Sequence, residues 1–276
     1  MKKMTLQEIQ QLNLEMMKEI HAFCVKKGLR YSLAYGSMIG AIRHKGFIPW
    51  DDDIDIMMPR PDYERFTREY RSEKGYRVCS AYDDDAYVNF TMVYDTNTVV
   101  QRPGVAAKYE TGVWIDIFPI DAVSDDDEER KSQFQHLRQY TSLMRILRAS
   151  LSRWKDGNLK DKLKATIRLL QLKLFTKGDY RDWHRKIDDI CTKHPFGSTN
   201  RCSSLLCVEA NTKNKQEVFD MSDLQDYELM AFEDQKFYVA SGYDHILSTI
   251  FGDYMAIPPV EKQIPHALLN CGFYWK

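Results

Sequence analysis

Apolar residues recur at intervals of three and four near the start of the chain, which is the spacing of one face of an α-helix. These positions are Leu6, Ile9, Leu12, Met16, Ile20 and Phe23. Thr5 and Glu8 have the spacing of a capping box at the helix start, and Gly28 is a residue type that commonly ends a helix. The pattern therefore predicts a first helix that packs its apolar face over a sheet.

A second pattern begins directly after this helix. The apolar run 30–35 predicts a strand, and Gly36 and Ser37 predict a turn. Residues from 38 to about 44 then predict a short helix. Glycine permits a tight turn and a close backbone approach, and the N-terminus of a helix offers N–H groups to a phosphate. The Gly36–Ser37 turn is therefore a candidate substrate-binding element that would cradle a phosphate.

Polar and apolar residues alternate at positions 53–56, which read Asp-Ile-Asp-Ile. Successive side chains of a strand point to opposite faces, so Asp53 and Asp55 share one face while the two isoleucines share the other. The isoleucines can enter a core, and the two carboxylates then lie side by side at the surface of the sheet. Like charges at this spacing repel each other, and oxygen ligands at this density suit Mg²⁺ or Mn²⁺ better than zinc.

A third carboxylate is expected on a neighbouring strand. Asp116 lies in the segment GVWIDIFPID, where Trp114, Asp116 and Phe118 alternate with the apolar residues of the other face. A strand, a Gly-Ser turn, a helix and a strand with alternating aspartates resemble the site of the nucleotidyltransferase superfamily. Asp53, Asp55 and Asp116 are therefore the candidate catalytic and metal-binding carboxylates of a phosphoryl-type transferase.

Two other interpretations apply to the acidic run DDDID. One is a solvated loop, because acidic clusters are common on protein surfaces. The other is a calcium loop of the EF-hand type, because Asp51, Asp53 and Asp55 occupy its positions 1, 3 and 5. The EF-hand pattern fails at position 6, where Ile56 replaces glycine, and at position 12, where Asp62 replaces glutamate.

The rest of the chain predicts further helices and strands around this centre. Pro61 marks the start of a second helix, and Ser124 with the acidic residues after it predicts the N-cap and first turn of a longer one. Strands are predicted over 76–80, 87–94, 112–118 and 203–208, with another starting near Val99, and a late helix is predicted over 243–251.

The composition fits one large folded domain, or one domain with an insertion. The chain has 276 residues and 43% of them are apolar, which is enough for a substantial core. We expect an α+β fold with a mixed sheet flanked by helices. Its expected parts are a catalytic core over 1–124, a basic helical insertion over 125–200, and a C-terminal part over 201–276 that completes the core and the substrate site.

Charge is distributed unevenly along the chain. The formal net charge is −1, which gives no overall indication of nucleic-acid binding. Residues 145–186, in contrast, contain 13 Lys and Arg against 4 Asp and Glu, and apolar residues with helical spacing lie among them. Such a basic amphipathic stretch either contacts an anionic membrane surface or forms the solvated face of inserted helices. The apolar positions are Leu159, Leu163, Ile167, Leu170 and Leu174.

The sequence favours a cytoplasmic location, with the inner face of the cell membrane as the place of any peripheral contact. No apolar region of the kind found in secretory signals follows the two lysines at the start, and no apolar run approaches the length of a membrane span. The six cysteines include no C-x-x-C pair and are expected to be reduced thiols.

Three segments also carry a family resemblance. GAIRHKGFIPWDDDIDI, within residues 35–60, resembles the signature of the LicD family of phosphotransferases, whose members include bacterial phosphocholine transferases and which is related to the fukutin-type ribitol-phosphate transferases. GVWIDIFPID (112–121) and FGDYMAIPPVEKQIPH (251–266) resemble the family's second and third blocks. The resemblance implies metal-dependent transfer of phosphocholine from CDP-choline to a hydroxyl of a cell-surface glycan, of the lipopolysaccharide, teichoic acid or capsule type.

The resemblance also implies roles for single residues. Asp51 is expected to join the metal ligands, Asp52 to point to the other side, and Asp116 to accept the proton of the acceptor hydroxyl as well. A basic run beside these carboxylates would otherwise be a solvated loop, but the resemblance favours contact with the donor phosphates. Trp50 is expected either to support the aspartate loop or to stack on a base or on choline. The expected substrate-binding residues, besides the Gly36–Ser37 turn, are Arg43, His44, Lys45, Trp50 and His266.

Two alternative functions are kept open. One is transfer of another alcohol or sugar phosphate, such as ribitol or glycerol phosphate, from a nucleotide donor. The other is a non-catalytic nucleotide- or glycan-binding protein on the same fold. That second alternative predicts loss of the carboxylates, whereas Asp53, Asp55 and Asp116 are all present.

Overall fold

The computed structural model describes residues 1–84, 86, 88–102, 109–148, 180–207 and 217–276, with a few single positions between 160 and 170. Its helices are α1 (Leu6–Lys27), α2 (Tyr35–Ile39), α3 (Arg60–Glu69), α4 (Asp127–Arg148), α5 (Tyr180–Cys191), α6 (Tyr243–Phe251) and α7 (His266–Asn270). A π-helical turn, Gly40–His44, continues α2. The strands are β1 (Lys2–Lys3), β2 (Ser32–Leu33), β3 (Ile54–Pro59), β4 (Tyr76–Cys79), β5 (Thr91–Asp95), β6 (Thr98–Gln101), β7 (Trp114–Val123), β8 (Arg201–Ser203), β9 (Phe219–Asp220), β10 (Tyr227–Phe232), β11 (Gln235–Ala240) and β12 (Gly272–Trp275).

The central sheet is mixed. Its strands lie in the order β2-β3-β7-β5-β4, and β8 pairs with the far end of β7 and carries β9 beside it. β3 and β7 run parallel, while the other pairs are antiparallel. Helices α1 and α3 pack on β3 and β7 and touch each other where the rings of Phe23 and Phe66 lie 5.8 Å apart. A mixed sheet covered by helices confirms the predicted α+β class.

The predicted alternation along β3 and β7 is confirmed by burial. Ile54 and Ile56 of β3 and Ile115 and Ile117 of β7 are fully buried. Burial of a large aliphatic side chain stabilises the fold by about 1.5–3 kcal/mol. These four residues therefore hold the two strands together on one face, while the other face is left to the acidic residues between them.

Several predicted boundaries are wrong by a few residues. The strand expected over 30–35 is only Ser32–Leu33, because these two residues alone pair with β3 and because α2 begins already at Tyr35. β7 continues to Val123 rather than ending near residue 118, because β8 pairs with its last part. The strand expected over 203–208 is β8 followed by a 3-10 turn, and residue 208 lies outside the described residues.

The N-cap of α4 is also two residues later than predicted, at Asp126 instead of Ser124. The helix begins at Asp127, and the side chain of Asp126 accepts the hydrogen bond from the backbone N–H of Glu129. Ser124 instead accepts from the N–H of Asp126 and donates to the Glu129 carboxylate. Aspartate and serine are both good caps, so residue type alone does not decide between neighbouring candidates.

A second apolar cluster lies under α4 and α5. Its members are Val123, Phe134, Leu137, Trp183, Ile187, Cys191, Leu205 and Leu206. It therefore combines residues of 125–200 with residues from β7 and from the 3-10 turn after β8. Residues of the C-terminal part, among them Phe219, Phe237 and Phe273, lie in the main core with those of the first 124. The division into 1–124, 125–200 and 201–276 stays a prediction.

Most of the basic stretch 145–186 lies outside the described residues, including Leu159 and Leu174. Of its predicted apolar face, Leu163, Ile167 and Leu170 are described and are exposed. In the part of the chain that the structure describes, no helix combines the length and the apolar character that crossing a membrane requires. None of the six cysteines forms a disulfide bond.

A buried ion pair joins α3 to the end of β7. The Arg60 guanidinium donates to both oxygens of Asp121, at 2.6 and 2.7 Å, and its third nitrogen donates to Asp188 of α5 at 3.1 Å. Burial alone would lower the pKa of Arg60, but the carboxylates beside it raise that pKa above its usual value. Asp121, which the family's second block contains, is thus a structural residue.

We predict that Arg60→Met destabilises the fold by about 3–5 kcal/mol, because it leaves the Asp121 carboxylate buried without its main partner. The measurement is the free energy of unfolding in urea. Arg30→Met is the matched control, since Arg30 pairs with Asp62 at 2.8 Å but its side chain is 47% exposed; it should cost at most about 1 kcal/mol. Equal losses in the two variants would contradict the prediction.

Candidate active site

Strand pairing brings two of the predicted carboxylates together. β3 and β7 are parallel neighbours, and Asp55 lies directly opposite Asp116 in their register. Asp53 immediately precedes β3 and faces the same side as Asp55, two residues on. The sheet therefore collects Asp53, Asp55 and Asp116 on one face, as the alternation predicts.

The electrostatics of this group are those of crowded, partly buried acids. Burial raises the pKa of Asp53 well above its usual value, and the negative charges of Asp51 and Asp116 raise it further. Burial and then the charges of Asp53 and Asp116 raise the pKa of Asp55 in the same way. Burial raises the pKa of Asp116 to about 7, although a hydrogen bond from Trp114 and the positive charge of Arg102 oppose part of that rise.

Asp116 has one oxygen, Oδ1, that is buried and has no hydrogen-bond partner within the described residues. A buried polar atom without a partner costs about 1–3 kcal/mol, so such an atom needs an explanation. Nearby, oxygens of Asp51, Asp52 and Asp53 lie within 4.8 Å of one another. Hard oxygen donors at this density, one of them unsatisfied, fit a divalent cation such as Mg²⁺ or Mn²⁺, which these residues could hold.

Asp51 sits against Gly36. A Cβ atom added to Gly36 would lie 2.5 Å from Oδ2 of Asp51, which is closer than real Cβ contacts. The predicted Gly-Ser turn is in fact part of α2, which begins at Tyr35, with Gly36 and Ser37 in its first turn. The absence of a side chain at position 36 therefore makes room for a carboxylate of the acidic group. Contact of this turn with a phosphate stays a prediction.

Ser37 has a contact that sequence reasoning missed. Its side chain is buried, and its hydroxyl oxygen accepts a hydrogen bond from the backbone N–H of Asp55 at 2.9 Å. The carbonyl of Asp55 accepts a hydrogen bond from the N–H of Ala34, the residue directly after β2. Ser37 thus positions the strand residue that carries one of the carboxylates. A small polar residue two places before the end of a short helix does not indicate this partner.

Arg43 and His44 are engaged with the protein. One Arg43 nitrogen donates to the carbonyls of Tyr254 and Ala256, at 2.7 and 2.9 Å, and its Nε donates to Nε2 of His44 at 3.0 Å. Burial lowers the pKa of Arg43 and of His44, and the Arg43 charge lowers that of His44 further. The ring of His44 meets Trp50 edge to face at 6.4 Å. Arg43 therefore ties the first sequence block to the third.

Lys45 is exposed and has a backbone φ of 57°. Its carbonyl accepts from the N–H of Glu233, in the turn of the β10–β11 hairpin, and the Glu233 carboxylate accepts from the N–H of Phe47 at 2.9 Å. Gly46 is packed so closely under Glu233 that a Cβ there would lie 2.2 Å from Oε1. The hairpin turn therefore fixes the loop that carries Lys45, a role that the sequence did not indicate for Glu233.

Asp52 has a carboxylate oxygen within 4.8 Å of oxygens of Asp51 and Asp53, so it does not point away from them as predicted. Its carboxylate accepts from the backbone N–H groups of Ala267 and Leu268, in the first turn of α7. That helix begins at His266, whose side chain is not among the described ones. The backbone at position 266 is nevertheless close to the acidic run, because residues 51–53 are consecutive and the next residue, Ala267, contacts Asp52.

Comparison with known proteins agrees with this geometry. Residues 28–149 match the family described as LicD/FKTN/FKRP, nucleotidyltransferase domain. The lipopolysaccharide cholinephosphotransferase LicD of Haemophilus influenzae is 30% identical over 271 residues, which cover 96% of this chain and 97% of that protein. Uncharacterized proteins of Rickettsia prowazekii and Rickettsia typhi are 31% and 36% identical over 24% and 23% of this chain, and over 28% and 21% of their own lengths.

The fold and these comparisons define an enzyme that transfers a phosphate-containing group on a nucleotidyltransferase-like fold. The chain belongs to the LicD family of phosphotransferases. The non-catalytic alternative is thereby disfavoured, and the predicted family resemblance is confirmed.

We predict that Ser37→Ala lowers the free energy of unfolding by about 1–3 kcal/mol, because the N–H of Asp55 loses its partner in a part-buried position. Ser222→Ala, at an exposed serine, is the control and should change it by no more than about 0.5 kcal/mol. The measurement is urea denaturation of both variants. A Ser37 variant as stable as the Ser222 variant would mean that the hydrogen bond contributes nothing.

Proposed function

We propose that the protein transfers phosphocholine from CDP-choline to a hydroxyl of a cell-surface glycan of the lipopolysaccharide type, with Mg²⁺ or Mn²⁺ as cofactor. The observation that carries the proposal is the group of crowded carboxylates on adjacent parallel strands, with the unpaired oxygen of Asp116 among them. The Haemophilus influenzae relative, a lipopolysaccharide cholinephosphotransferase, supports the choice of choline and of lipopolysaccharide. Teichoic acid and capsule polymers are the other acceptors of the same kind.

The proposed metal ligands are Asp51, Asp53, Asp55 and Asp116. A bound divalent cation would neutralise charge on the two phosphates of the donor, as is general for enzymes of phosphoryl transfer. The fold of the protein sets the positions of these ligands. β3 and β7 fix the spacing of Asp55 and Asp116, while Gly36 leaves room for the Asp51 carboxylate.

Asp116 is the proposed catalytic base. In the transfer, the acceptor oxygen forms a bond to the phosphorus that carries choline, the bond from that phosphorus to the bridging oxygen breaks, and CMP leaves. The hydroxyl proton of the acceptor passes to Asp116. Burial raises the pKa of this carboxyl to about 7 in the metal-free protein.

We assign Lys45 to the donor phosphates, because its side chain is exposed while its backbone is held by Glu233. Two nitrogens of Arg43 donate hydrogen bonds to protein groups. We therefore assign Arg43 the role of positioning the segment around Tyr254, in addition to any contact with phosphate. His44, Trp50 and His266 stay predictions as substrate contacts. Contact of the stretch 145–186 with a membrane surface likewise stays a prediction.

The experiment that tests the donor is isothermal titration of CDP-choline, CDP-ribitol and CDP-glycerol into the protein, with and without Mg²⁺. We expect tight binding of CDP-choline that requires the cation and that the other two do not match. Equal or tighter binding of CDP-ribitol or CDP-glycerol would mean that the donor carries ribitol or glycerol instead of choline, and would favour the alternative of another alcohol phosphate. An affinity for CDP-choline that is the same with and without Mg²⁺ would contradict the proposed role of the metal.

We predict that Asp53→Asn lowers kcat by about a thousandfold, equivalent to about 4 kcal/mol of transition-state stabilisation, because it removes a charged metal ligand. Release of CMP measures turnover, and circular dichroism checks that the fold is kept. Asp127→Asn is the control, since Asp127 lies in the first turn of α4 with a side chain that is 73% exposed. Turnover retained by the Asp53 variant would exclude Asp53 from the metal site.

We also predict that Gly36→Ala raises the Mg²⁺ concentration needed for half-maximal turnover by about tenfold, because the new methyl group displaces the Asp51 carboxylate. Gly28→Ala is the control, and it should change stability but not the Mg²⁺ requirement. Position 28 has open space around it but a φ of 64°, so alanine there should cost about 1–2 kcal/mol of stability and leave the Mg²⁺ requirement unchanged. An unchanged requirement in the Gly36 variant would contradict the placement of Asp51.

A further inference from the structure

A row of apolar side chains lies next to the row of carboxylates on the same face of the sheet. Asp55 and Asp116 are opposite each other on β3 and β7, and two residues further along Met57 lies opposite Phe118. The register of β5 on β7 places Phe90 across from Phe118, and the centres of these two rings are 4.5 Å apart. Two residues of a strand span about 6.6 Å, so aromatic rings stand directly beside the carboxylates.

Tyr35 completes a cluster of three rings (Tyr35, Phe90 and Phe118), the ring cluster. Its ring meets Phe118 edge to face at 5.3 Å. The backbone φ of Tyr35 is 46°, a conformation that bulky residues rarely adopt and that is often kept at functional sites. Tyr35 and Phe90 are partly exposed, whereas Phe118 is buried. Two of the three rings therefore have surface that a ligand can contact.

A further carboxylate, that of Glu217, lies near the ring cluster. Burial raises the pKa of Tyr35 well above its usual value, and the neighbouring Cys207 and Glu217 raise it further, so the hydroxyl keeps its proton. Burial also raises the pKa of the Cys207 thiol, and the charges of Asp55 and Glu217 add to that rise. Negative charge therefore reaches the ring cluster from Glu217 as well as from the metal-site carboxylates, while Tyr35 and Cys207 stay neutral.

The row on the other side of the carboxylates has the opposite character. Trp114 precedes Asp116 by two residues and shares its face of the sheet. The guanidinium of Arg102 lies 4.6 Å from the centre of a Trp114 ring, and the ring of Phe273 stacks on Trp114 at 5.7 Å. A cation of the protein already covers this aromatic surface. It repels a positive group of a ligand and attracts a negative one.

We propose that the ring cluster, with Glu217, binds the trimethylammonium group of a choline donor and selects choline over uncharged alcohols. A quaternary ammonium group is attracted to the faces of aromatic rings, and a nearby carboxylate adds to that attraction. Ordinary bond lengths place the nitrogen of phosphocholine about 5 Å from its phosphorus. That reach is comparable with the spacing of about 6.6 Å between the two rows, so a phosphate at the carboxylates brings the ammonium group to the rings.

The same surroundings disfavour a polyol such as ribitol or glycerol. Each hydroxyl that leaves water needs a hydrogen-bond partner, and one without a partner lowers the affinity. Met57, Phe90 and Phe118 have no hydrogen-bonding group of the required kind in their side chains, and the hydroxyl of Tyr35 is buried beside Cys207. The inference rests on the proposed function, because it takes phosphocholine as the group that is transferred.

The first test uses choline without a nucleotide and therefore needs no turnover. Choline chloride and 3,3-dimethylbutanol, its uncharged analogue of the same shape, are titrated into the protein, and binding is followed by saturation-transfer NMR. We expect choline to bind with a Kd on the order of 1 mM. The analogue should bind about tenfold more weakly, because it lacks the charge that the rings and Glu217 attract.

Three variants locate the binding. Phe90→Leu removes a ring and keeps an apolar side chain, and Glu217→Gln removes a charge and keeps the shape. Each should weaken choline binding about fivefold, and Glu217→Gln should leave binding of the analogue unchanged. Phe196→Leu is the control, because Phe196 is a partly buried ring whose cation contact is with Arg30, at 5.8 Å. It should bind choline as the unchanged protein does, and circular dichroism checks the fold of all three.

Kinetics then separate this inference from the proposed function. With CDP-choline and Mg²⁺, Phe90→Leu should raise KM about fivefold and change kcat little, because the ring binds a part of the donor that does not react. Choline binding that depends on Phe90 and Glu217, without release of CMP from CDP-choline, would support the binding site and contradict the proposed reaction. Absence of choline binding, or equal binding by the unchanged protein, Phe90→Leu and Glu217→Gln, would overturn the inference even if CDP-choline is turned over.

Discussion

Electrostatic repulsion among Asp53, Asp55 and Asp116 is the constraint on which the rest of this structure depends. Each carboxyl is partly buried, and Asp53 and Asp55 both face the negative charge of Asp116, so the native state holds together groups that would be better solvated apart. The opposing energy comes from the other face of the same strands, where fully buried isoleucines alternate with the acids. Carboxyls whose pKa values are raised in this way are typical of functional sites.

The surroundings of the carboxylates act as braces that keep their geometry. Ser37 holds the backbone of Asp55, Gly36 leaves space for Asp51, and Asp52 is anchored by the first turn of α7. From the C-terminal part of the chain, the Tyr254 carbonyl accepts from Arg43 and the Glu233 carboxylate accepts from the N–H of Phe47, and both hold the segment 43–47. The partners in these last three contacts are 186 to 216 residues apart in sequence. The site is thus assembled from both ends of the chain around one parallel strand pair.

Much of this structure could be predicted from local sequence patterns, and the rest depends on contacts between residues far apart in the sequence. Alternation with period two was enough to predict the shared face of Asp53 and Asp55 and the strand of Asp116, because side-chain direction in a strand follows from backbone geometry alone. The partners of Arg43, Ser37 and Glu233 could not be predicted in this way. A hydrogen bond between residues so far apart leaves no periodic trace, and the caps near Ser124 show that even local signals fail when neighbouring residues suit the same role.

Pairing of the first strand with the last has a consequence for how the protein is made. Lys2 and Lys3 of β1 lie opposite Trp275 and Tyr274 of β12, which in turn pairs with β6. A ribosome adds residues at about 5–20 per second, so β1 leaves the exit tunnel on the order of ten seconds to a minute before its partner exists. Through that interval the nascent chain has an unmatched strand edge and an incomplete set of braces around its acids. The carboxylates therefore receive their last braces only after residues 254–268 have been synthesised.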